Sequence, residues 1–275
     1  MQPGDNAPSV AIVIPAYNEE DTIRACVTAA VGQTVPAREI IIVDNKSTDQ
    51  TPVILEELQQ EFPDAPIIVL KQDQAQGITP ARNMGFDAVT SDIIGRIDSD
   101  SVLEPNWVEE TTKVFLDETV HAATGPVIYY DMPLRRYMAR ADDTARRAIS
   151  RLVKQYHFLF GTNMALRRSA WEVVREEICL DADREMFEDI DLSVHIVDEG
   201  YKIVYAPGMV TGMSSRRADD SPSDFLAYVR RFDKTYEHHG LRQAVLRIPQ
   251  WAYLGIYPVA KSLRWSMKLR ESLKR

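Results

Sequence analysis

Cysteine is scarce in this 275-residue chain, and long apolar runs are missing from it. The two cysteines, Cys26 and Cys179, stand far apart in unrelated sequence contexts. This spacing argues against a disulfide framework or a cysteine-based metal site and fits a reducing compartment. The apolar stretches fall short of the roughly 20 residues that a membrane-spanning helix needs, and the polar start from Met1 to Pro8 has no apolar targeting core. We therefore expect a cytoplasmic protein.

Two common phosphate-binding motifs are also absent. The glycines do not form the GxGxxG pattern of dinucleotide-binding folds, and the sequence has no GxxxxGK(S/T) loop. The formal net charge of −9 argues against nonspecific binding to nucleic acid. The charge is uneven, however, because residues 241–275 carry eight basic residues and one acid, a net charge of +7 that leaves −16 on the remainder.

The N-terminal part of the chain contains an alternation of short apolar runs and helical patterns. Its overall composition, with 45% hydrophobic and 27% charged residues, is typical of a globular protein. Continuous apolar runs at residues 10–14 and 40–43 predict buried strands, and residues 67–70 and 92–97 predict two further strands. Because a helical stretch follows each run, the pattern predicts an α/β fold with a mostly parallel central sheet flanked by helices.

Acidic residues follow two of these predicted strands. Asp44 ends the second strand, and Asp98 and Asp100 end the fourth with one residue between them. Alternate residues of a strand share a face, so Asp98 and Asp100 are expected to point the same way. The carboxyl ends of parallel strands form the ligand-binding edge of open α/β sheets, and paired carboxylates suit a hard divalent cation that also holds phosphate oxygens. A polar turn without a ligand is the structural alternative.

After this acidic pair the pattern becomes less regular. Residues 106–117 predict a helix, residues 122–130 a strand, and residues 158–166 a strand interrupted by a glycine. A basic amphipathic helix is expected from Pro133 to Tyr156, either as a solvated face or as a surface for an anionic acceptor or membrane. Asp189 is expected to cap or enter a further helix.

The C-terminal part, residues 221–275, combines basic and aromatic residues with helical patterns. Pro249 and Pro258 are expected to break it into separate helical segments. The tryptophans Trp251 and Trp265 are interleaved with basic residues, which fits a helix lying on a membrane surface. Packing of this tail on the rest of the fold explains the same pattern.

Six short motifs occur in an order that resembles the family 2 inverting glycosyltransferases, which have the GT-A fold. The motifs are Ile14-Pro15-Ala16-Tyr17-Asn18-Glu19, Val43-Asp44-Asn45-Lys46-Ser47-Thr48-Asp49, Ala81-Arg82-Asn83-Met84-Gly85, Asp98-Ser99-Asp100, Gly161-Thr162-Asn163-Met164 and Glu188-Asp189-Ile190-Asp191-Leu192. Each motif alone is weak, whereas all of them in the family order are specific. The resemblance implies a GT-A catalytic domain at residues 1–220, with a nucleotide-binding half (1–101) and an acceptor-binding half (102–220), followed by an amphipathic helical tail.

The resemblance also implies a donor site for a nucleotide-diphosphate sugar, expected to be a UDP-sugar. The nucleotide-binding residues would be Pro15, Tyr17, Glu19, Asp44, Asp73, Arg82, Asp98 and Ser99. A helix cap at Asp44 and an acid partner for Arg82 are the structural alternatives. Asp98 and Asp100 would hold Mg²⁺ or Mn²⁺, which acts as a Lewis acid towards the leaving diphosphate.

Asp189 is the general base that the resemblance implies. It would take the proton of the acceptor hydroxyl in a single displacement that inverts the anomeric configuration. An acidic first turn stabilised by the helix dipole is the structural alternative. Thr162, Asn163 and Glu188 are expected to contact the acceptor, a glycan or lipid-linked molecule of cell-envelope glycan biosynthesis. The tail would then make peripheral contact with the inner face of the membrane.

One departure from the family pattern concerns the metal ligands. Many relatives have a histidine after the strand that follows the helix of the base, whereas residues 207–213 contain none. The third ligand is therefore expected to be water or another residue, and none of the five histidines is assigned a metal role. Two other functions stay open: a non-catalytic nucleotide-sugar-binding protein and a related nucleotidyltransferase. The latter class would need a glycine-rich basic loop after the first strand, which residues 15–20 do not provide.

Overall fold

The computed structural model describes residues 7–132, 157–181, 185–242 and 244–272, together with 140, 143, 144, 147 and 148. The basic helix expected from Pro133 to Tyr156 therefore lies largely outside the described residues. The strands are β1 (Val10–Ala16), β2 (Glu39–Asp44), β3 (Ile67–Lys71), β4 (Ile93–Arg96), β5 (Val102–Leu103), β6 (Ala122–Thr124), β7 (Val127–Tyr129), β8 (Met164–Arg167), β9 (Ile203–Tyr205) and β10 (Thr211–Met213). The α-helices are α1 (Ile23–Val31), α2 (Thr51–Glu61), α3 (Ile78–Ala88), α4 (Trp107–Phe115), α5 (Arg168–Val174), α6 (Glu188–Asp198), α7 (Pro222–His238) and α8 (Ile248–Ser272).

A seven-stranded sheet in the order β3-β2-β1-β4-β8-β6-β9 forms the centre of the fold. β1 pairs in parallel with β2 and β4, and β2 pairs in parallel with β3. β8 runs antiparallel to both of its neighbours, β4 and β6, while β6 and β9 are parallel. The structure thus confirms the mostly parallel α/β sheet and brings the ends of β1, β2 and β4 to one edge.

The core lies on both faces of this sheet, and β1 is therefore buried along its whole length. Ile12 and Ile14 belong to a cluster that includes side chains of α1, α2 and α4. Ala11 and Val13 belong to a second cluster with side chains of α3, α5 and α6. Alternate residues of a strand face opposite sides, so a strand with helices on both sides needs an apolar residue at every position.

The predicted strand at residues 122–130 is in fact two strands in different sheets. β6 joins the central sheet, whereas β7 pairs with β10 in a three-stranded sheet of order β5-β10-β7. Gly125 and Pro126 separate the two strands. A Cβ atom at Gly125 would lie 1.9 Å from the Met209 carbonyl oxygen, so the backbones meet at a distance that only glycine permits. The strand prediction missed this contact because Met209 is distant in sequence.

The predicted strand at residues 158–166 is also shorter, since β8 begins only at Met164. The preceding residues form a turn in which the Asn163 N–H donates to the Phe160 carbonyl at 2.8 Å. The glycine that interrupts this stretch, Gly161, predicts a close approach of another group, because glycine within a strand commonly marks one. The structure contains this approach, because a Cβ atom at Gly161 would lie 1.8 Å from Nη1 of Arg96.

The C-terminal part was expected to break at Pro249 and Pro258, but the structure has one continuous helix over both residues. α8 runs without a break from Ile248 to Ser272. Pro249 occupies the second helical position, where its missing N–H costs nothing, and Pro258 removes a single hydrogen bond from an otherwise continuous helix. Apolar side chains of α7, among them Phe232, pack against Phe187 and Ile190 at the start of α6. Among the described helices, none combines the length and apolarity needed to cross a membrane.

Candidate active site

A cavity of about 1960 Å³ opens at the carboxyl ends of β1 and β4 and extends to α6, α7 and α8. It lies where three distant parts of the chain meet: the strand ends, the turn before β8 and the first turn of α6. The structure thereby brings most of the predicted site residues to one place. Those that line the cavity are Pro15, Tyr17, Glu19, Asp98, Ser99, Asp100, Thr162, Glu188 and Asp189.

The two acids after β4 both have arginine partners. Asp98 Oδ1 lies 2.7 Å from Arg96 Nη2, and its Oδ2 accepts a hydrogen bond from the Thr162 hydroxyl at 2.6 Å. Asp100 Oδ2 lies 3.1 Å from Nε of Arg216. The acids are therefore held from two sides, by the strand that precedes them and by residues much later in the chain.

The charge around Asp100 fits a divalent cation. Burial and the neighbouring charge of Asp98 raise the pKa of Asp100 to about 6, while Arg216 opposes the shift. Glu19 adds a third carboxylate, which lies 2.6 Å from Arg216. An excess of carboxylate oxygens in a partly desolvated site matches the donor set that Mg²⁺ and Mn²⁺ prefer. The residues present therefore fit a hard divalent cation.

Asp189 lies in the first turn of α6, and backbone N–H groups fix its carboxylate. Oδ2 accepts a hydrogen bond from the Gly161 N–H at 2.8 Å, and Oδ1 accepts one from the Ile190 N–H at 2.9 Å. Burial and the charge of Glu188 raise the pKa of Asp189 to about 7, against the effect of these hydrogen bonds. A carboxyl group with a pKa near neutrality can accept a proton from a substrate and release it again.

Arg96 connects the acids after β4 to the start of α6. This buried guanidinium reaches Asp98 at 2.7 Å and Glu188 at 3.2 Å through the same nitrogen, Nη2. It also packs against Gly161, the residue that holds Asp189. Sequence reasoning did not identify Arg96. The available signal is a charged residue inside the apolar run of β4, since a buried charge requires a partner.

Arg216 is the second residue that sequence reasoning missed. Its guanidinium donates to both carboxylate oxygens of Glu19, at 2.9 and 2.6 Å, and these bonds together with the charge of Asp100 raise its pKa. It lies in a short 3-10 helix, Arg216–Asp219, just beyond the segment in which the family pattern has a histidine. The pair Arg216-Arg217 after β10 was the available signal, but the partners of Arg216, which are Glu19 and Asp100, lie more than 100 residues earlier in the sequence.

Two predicted contacts lie elsewhere in the structure. Arg82 is fully buried and donates to the Glu188 carbonyl at 2.8 Å, and burial lowers its pKa to about 10. Asn163 is also fully buried, and its amide donates to the carbonyls of Pro126 and Met209. Neither residue lines the cavity. Arg82 therefore supports the first turn of α6, and Asn163 holds the smaller sheet against the larger one. The nucleotide contact of Arg82 and the acceptor contact of Asn163 stay predictions that these positions do not support.

Asp44 and Asp73 are likewise not among the cavity-lining residues. The Asp44 carboxylate accepts the Ser47 N–H at 3.2 Å, so it caps the turn after β2, close to the structural alternative left open above. Asp73 is exposed. Asn45, the residue after Asp44, lines the cavity instead. Its side-chain oxygen accepts the Gly77 N–H at 2.6 Å, which orders the loop before α3.

Comparisons with known proteins agree with this geometry. The sequence model of glycosyl transferase family 2 matches residues 11–175. The protein EpsH of Bacillus subtilis (strain 168), which is named as a glycosyltransferase, is 30% identical over 198 residues, which cover 66% of this chain and 54% of EpsH. The hyaluronan synthase of Streptococcus pyogenes is 36% identical over 120 residues, 42% of this chain and 29% of the synthase. The chain thus spans about half or less of the length of these relatives.

Two solved structures resemble the fold over nearly the whole chain. The mannosyltransferase PcManGT from Pyrobaculum calidifontis, in complex with GDP-Man and Mn²⁺, has a TM-score of 0.63 at 19% identity and covers 95% of this chain and 74% of its own. Residues 1–349 of S. aureus TarS have a TM-score of 0.57 at 16% identity and cover 92% of this chain and 80% of TarS. The fold is that of the GT-A glycosyltransferases. The family match, which spans more than half of the chain, shows that the protein belongs to glycosyl transferase family 2.

Proposed function

We propose that this chain transfers a sugar from a nucleotide-diphosphate sugar, a UDP-sugar, to an acceptor hydroxyl with inversion at the anomeric carbon. The observation that carries the proposal is the convergence of Asp98, Asp100 and Asp189 on one cavity, in which Arg96 pairs with Asp98 and Glu188. Membership of the family supports a nucleotide-sugar donor. The complex of PcManGT with GDP-Man and Mn²⁺ supports the same donor class and a divalent cation.

The donor would bind on the strand side of the cavity. Pro15, Tyr17 and Ser99 line this side and would contact the base and ribose. Asp98 and Asp100 would hold Mn²⁺ or Mg²⁺, and such a cation supplies Lewis-acid stabilisation of the charge on the leaving diphosphate. Burial and the neighbouring charge of Asp98 raise the pKa of Asp100, and a bound cation would compensate this crowded negative charge.

The acceptor would bind between the turn before β8 and the start of α6, where Thr162 and Glu188 line the cavity. Asp189 would accept the proton of the attacking hydroxyl, with its carboxylate oriented by the Gly161 and Ile190 N–H groups. One base and one displacement leave the product with inverted configuration, and a base of this kind contributes about 10²–10⁴-fold to the rate.

Calorimetric titration with UDP, GDP, ADP and CDP, each with and without Mn²⁺, tests this function. We expect Mn²⁺-dependent binding of UDP, together with turnover of a UDP-sugar whose product has the inverted anomeric configuration by NMR. Asp73→Asn is a matched control, because this carboxylate is exposed and does not line the cavity. Metal-dependent binding of GDP in place of UDP would move the donor assignment to a GDP-sugar.

The same experiment separates the alternatives. Binding without turnover of any sugar nucleotide would favour a non-catalytic nucleotide-sugar-binding protein. Release of pyrophosphate from a nucleoside triphosphate and a sugar phosphate would indicate a nucleotidyltransferase. Retention of configuration in the product would contradict the single displacement at Asp189.

We also propose that the tail places the site at the inner face of a membrane, where a glycan or lipid-linked acceptor is available. Three basic residues of α8 contact the body: Lys261 donates to the Asp220 carbonyl, and Arg264 and Lys268 lie 2.6 and 2.8 Å from Asp219. The outward face is consequently apolar, and such a face with tryptophans suits the interface of a bilayer. Its exposed large side chains are Trp251, Leu254, Ile256, Val259, Leu263, Trp265 and Leu269.

Flotation of the full chain with liposomes tests the membrane contact. We expect a Trp251→Ser/Trp265→Ser variant to float less than the wild type, because both side chains are 60% or more exposed and their removal leaves the packing intact. Leu116→Ser is the matched control, since Leu116 is also 60% exposed but belongs to another surface. Equal flotation of all three proteins would contradict the membrane contact.

A further inference from the structure

A second group of metal-ligating side chains lies outside the cavity, between α6 and the end of α7. Asp191 belongs to α6, and His238 and His239 lie where α7 ends; one ligand atom of each lies within 4.8 Å of the others. None of the three lines the cavity. Asp191 lies two residues beyond Asp189, which rotates its side chain by about 200° around the helix. The base and this group therefore occupy different faces of α6.

The carboxylate of Asp191 is the fixed centre of the group. Its side chain is 1% exposed, and Oδ1 lies 2.9 Å from Nε2 of His239. Oδ1 is also 3.6 Å from Nε2 of His195, one turn further along α6. The other oxygen accepts the Cys179 N–H at 3.2 Å, which holds the carboxylate in place. Ligands around a tetrahedral zinc ion are about 3.3 Å apart, close to the two spacings from Asp191. The other ligand atoms of the group, which lie within 4.8 Å of one another, would move closer together on binding.

A second carboxylate orients one of the imidazoles. Glu177 lies 3.2 Å from Nδ1 of His195, so Nε2 of that ring points towards Asp191. Histidines that bind metals commonly have their other ring nitrogen bound to a carboxylate or carbonyl in this way, which fixes the tautomer and strengthens the ligand.

We propose that Asp191, His238 and His239 bind a zinc ion, with His195 as the fourth ligand. Imidazole nitrogens with one carboxylate select a borderline metal such as Zn²⁺, whereas the carboxylate oxygens of Asp98 and Asp100 suit Mg²⁺ or Mn²⁺. This reverses the sequence-based expectation that no histidine binds a metal. A bridge in which two histidines hydrogen-bond to Asp191 without a metal is the alternative.

The proposed zinc ion would join the start of α6 to the end of α7. Asp189 lies in the same first turn of α6 as Asp191. The aromatic contact between Phe187 and Phe232, with ring centroids 4.4 Å apart, joins the same two helices. The ion would therefore fix the helix that carries the base against the helix that closes the far side of the cavity, without contacting the substrate.

Zinc binding by the full chain tests the proposal independently of sugar transfer. The background is Asp100→Asn, which weakens cation binding in the cavity, and the probe is Zn²⁺ alone. We expect one zinc ion per chain to remain after dialysis and to raise Tm, as binding to the folded state requires. In that background, His238→Ala and His239→Gln should each weaken zinc affinity by at least about tenfold, the size of effect seen at metal sites.

His121→Ala is the matched control because His121 stacks on Tyr201 outside the group. His238 is exposed, so its replacement should leave the fold intact. Zinc affinity that falls in His238→Ala but not in His121→Ala supports the site. Loss of all zinc on dialysis of the Asp100→Asn protein, or equal affinity in these two variants, would overturn the proposal and leave only a hydrogen-bonded bridge.

Discussion

The strand side and the helix side of the cavity are built by different means. Asp98 and Asp100 follow β4, which pairs in parallel with β1 at the centre of the sheet, so backbone pairing brings them to the sheet edge. Asp189 on the helix side is held instead by the backbone N–H groups of Gly161, in the turn before β8, and of Ile190. The fold thus positions the donor side through strand pairing, and the base through backbone hydrogen bonds, one of them from a turn that is distant in the sequence.

Two carboxyl groups of α6, those of Asp189 and Asp191, show how strongly neighbouring groups set the pKa of a buried acid. Burial acts to raise the pKa of both Asp189 and Asp191. Beside Glu188, the pKa of Asp189 rises to about 7, whereas hydrogen bonds from His195 and His239 lower that of Asp191 to about 2. Burial alone therefore does not set the charge state, and the partner on each helix face does.

The largest expected effect separates the two sides of the cavity. Asp189→Asn removes the proposed base and keeps the shape of the side chain, but its single amide oxygen can accept only one of the two backbone N–H groups that Asp189 binds. We expect kcat to fall by about 10²–10⁴-fold, while Mn²⁺-dependent nucleotide affinity stays unchanged. Turnover assays with calorimetry on the same variant measure both quantities. Wild-type turnover would remove the assigned base, and lost nucleotide affinity would show that the two sides are not separable.

The next change acts on the strand side. Asp100→Asn removes a charged oxygen ligand, so Mn²⁺-dependent nucleotide affinity should fall by roughly 10–100-fold, the range typical of altered metal sites. Calorimetry with and without Mn²⁺ measures the change, and Asp73→Asn should match the wild type. An Asp100→Asn protein that binds nucleotide and Mn²⁺ normally would refute the proposed cation site.

The pH dependence of activity reports on the helix side. Because burial and Glu188 raise the pKa of Asp189 to about 7, kcat/KM should fall about tenfold per pH unit below that value and level off above it. The linked stability has the same origin: the folded state holds this proton more tightly than the unfolded chain, so the stabilisation is present at acid pH and is lost as pH rises through about 7. An identical acid limb in the residual activity of Asp189→Asn would contradict the assignment.

The smallest expected effect concerns packing beneath the strand side. A Cβ atom at Gly95 in β4 would lie 2.5 Å from Trp107 and 3.0 Å from the Ala11 carbonyl. Gly95→Ala should therefore lower the free energy of unfolding by about 1–3 kcal/mol. Gly255→Ala in α8 is the control, since nothing lies within 4 Å of its added carbon and alanine favours a helix. Equal urea midpoints for both variants would show that β4 has more space than the structure indicates.

The regular part of the fold could be predicted from sequence because the strands of a parallel sheet covered by helices are rich in apolar residues. β1 and β3 begin at the predicted residues, and the other two predicted N-terminal strands lie within a residue of their predicted starts. The division of residues 122–130 into two strands could not be predicted, since it arises from the contact of Gly125 with the Met209 carbonyl. Local propensity contains no information about such a contact.

The candidate site could likewise be predicted only in part. The convergence of Asp98, Asp100 and Asp189 on one cavity could be predicted from the order of the motifs. The partners of these acids could not be predicted. Arg216, the partner of Asp100, also donates to Glu19, which is 197 residues away in the sequence. Membership of a motif also does not show which way a side chain points, which is why Asn163 was assigned to the acceptor although its amide holds two backbone carbonyls.

A structure of the chain in complex with a UDP-sugar and Mn²⁺ tests the shared cavity most directly. We expect Mn²⁺ and the diphosphate at Asp98 and Asp100, with the Asp189 carboxylate on the face of the anomeric carbon opposite the leaving nucleotide. A donor bound away from Asp100, or an Asp189 carboxylate on the same face as the leaving nucleotide, would contradict the proposed inverting transfer.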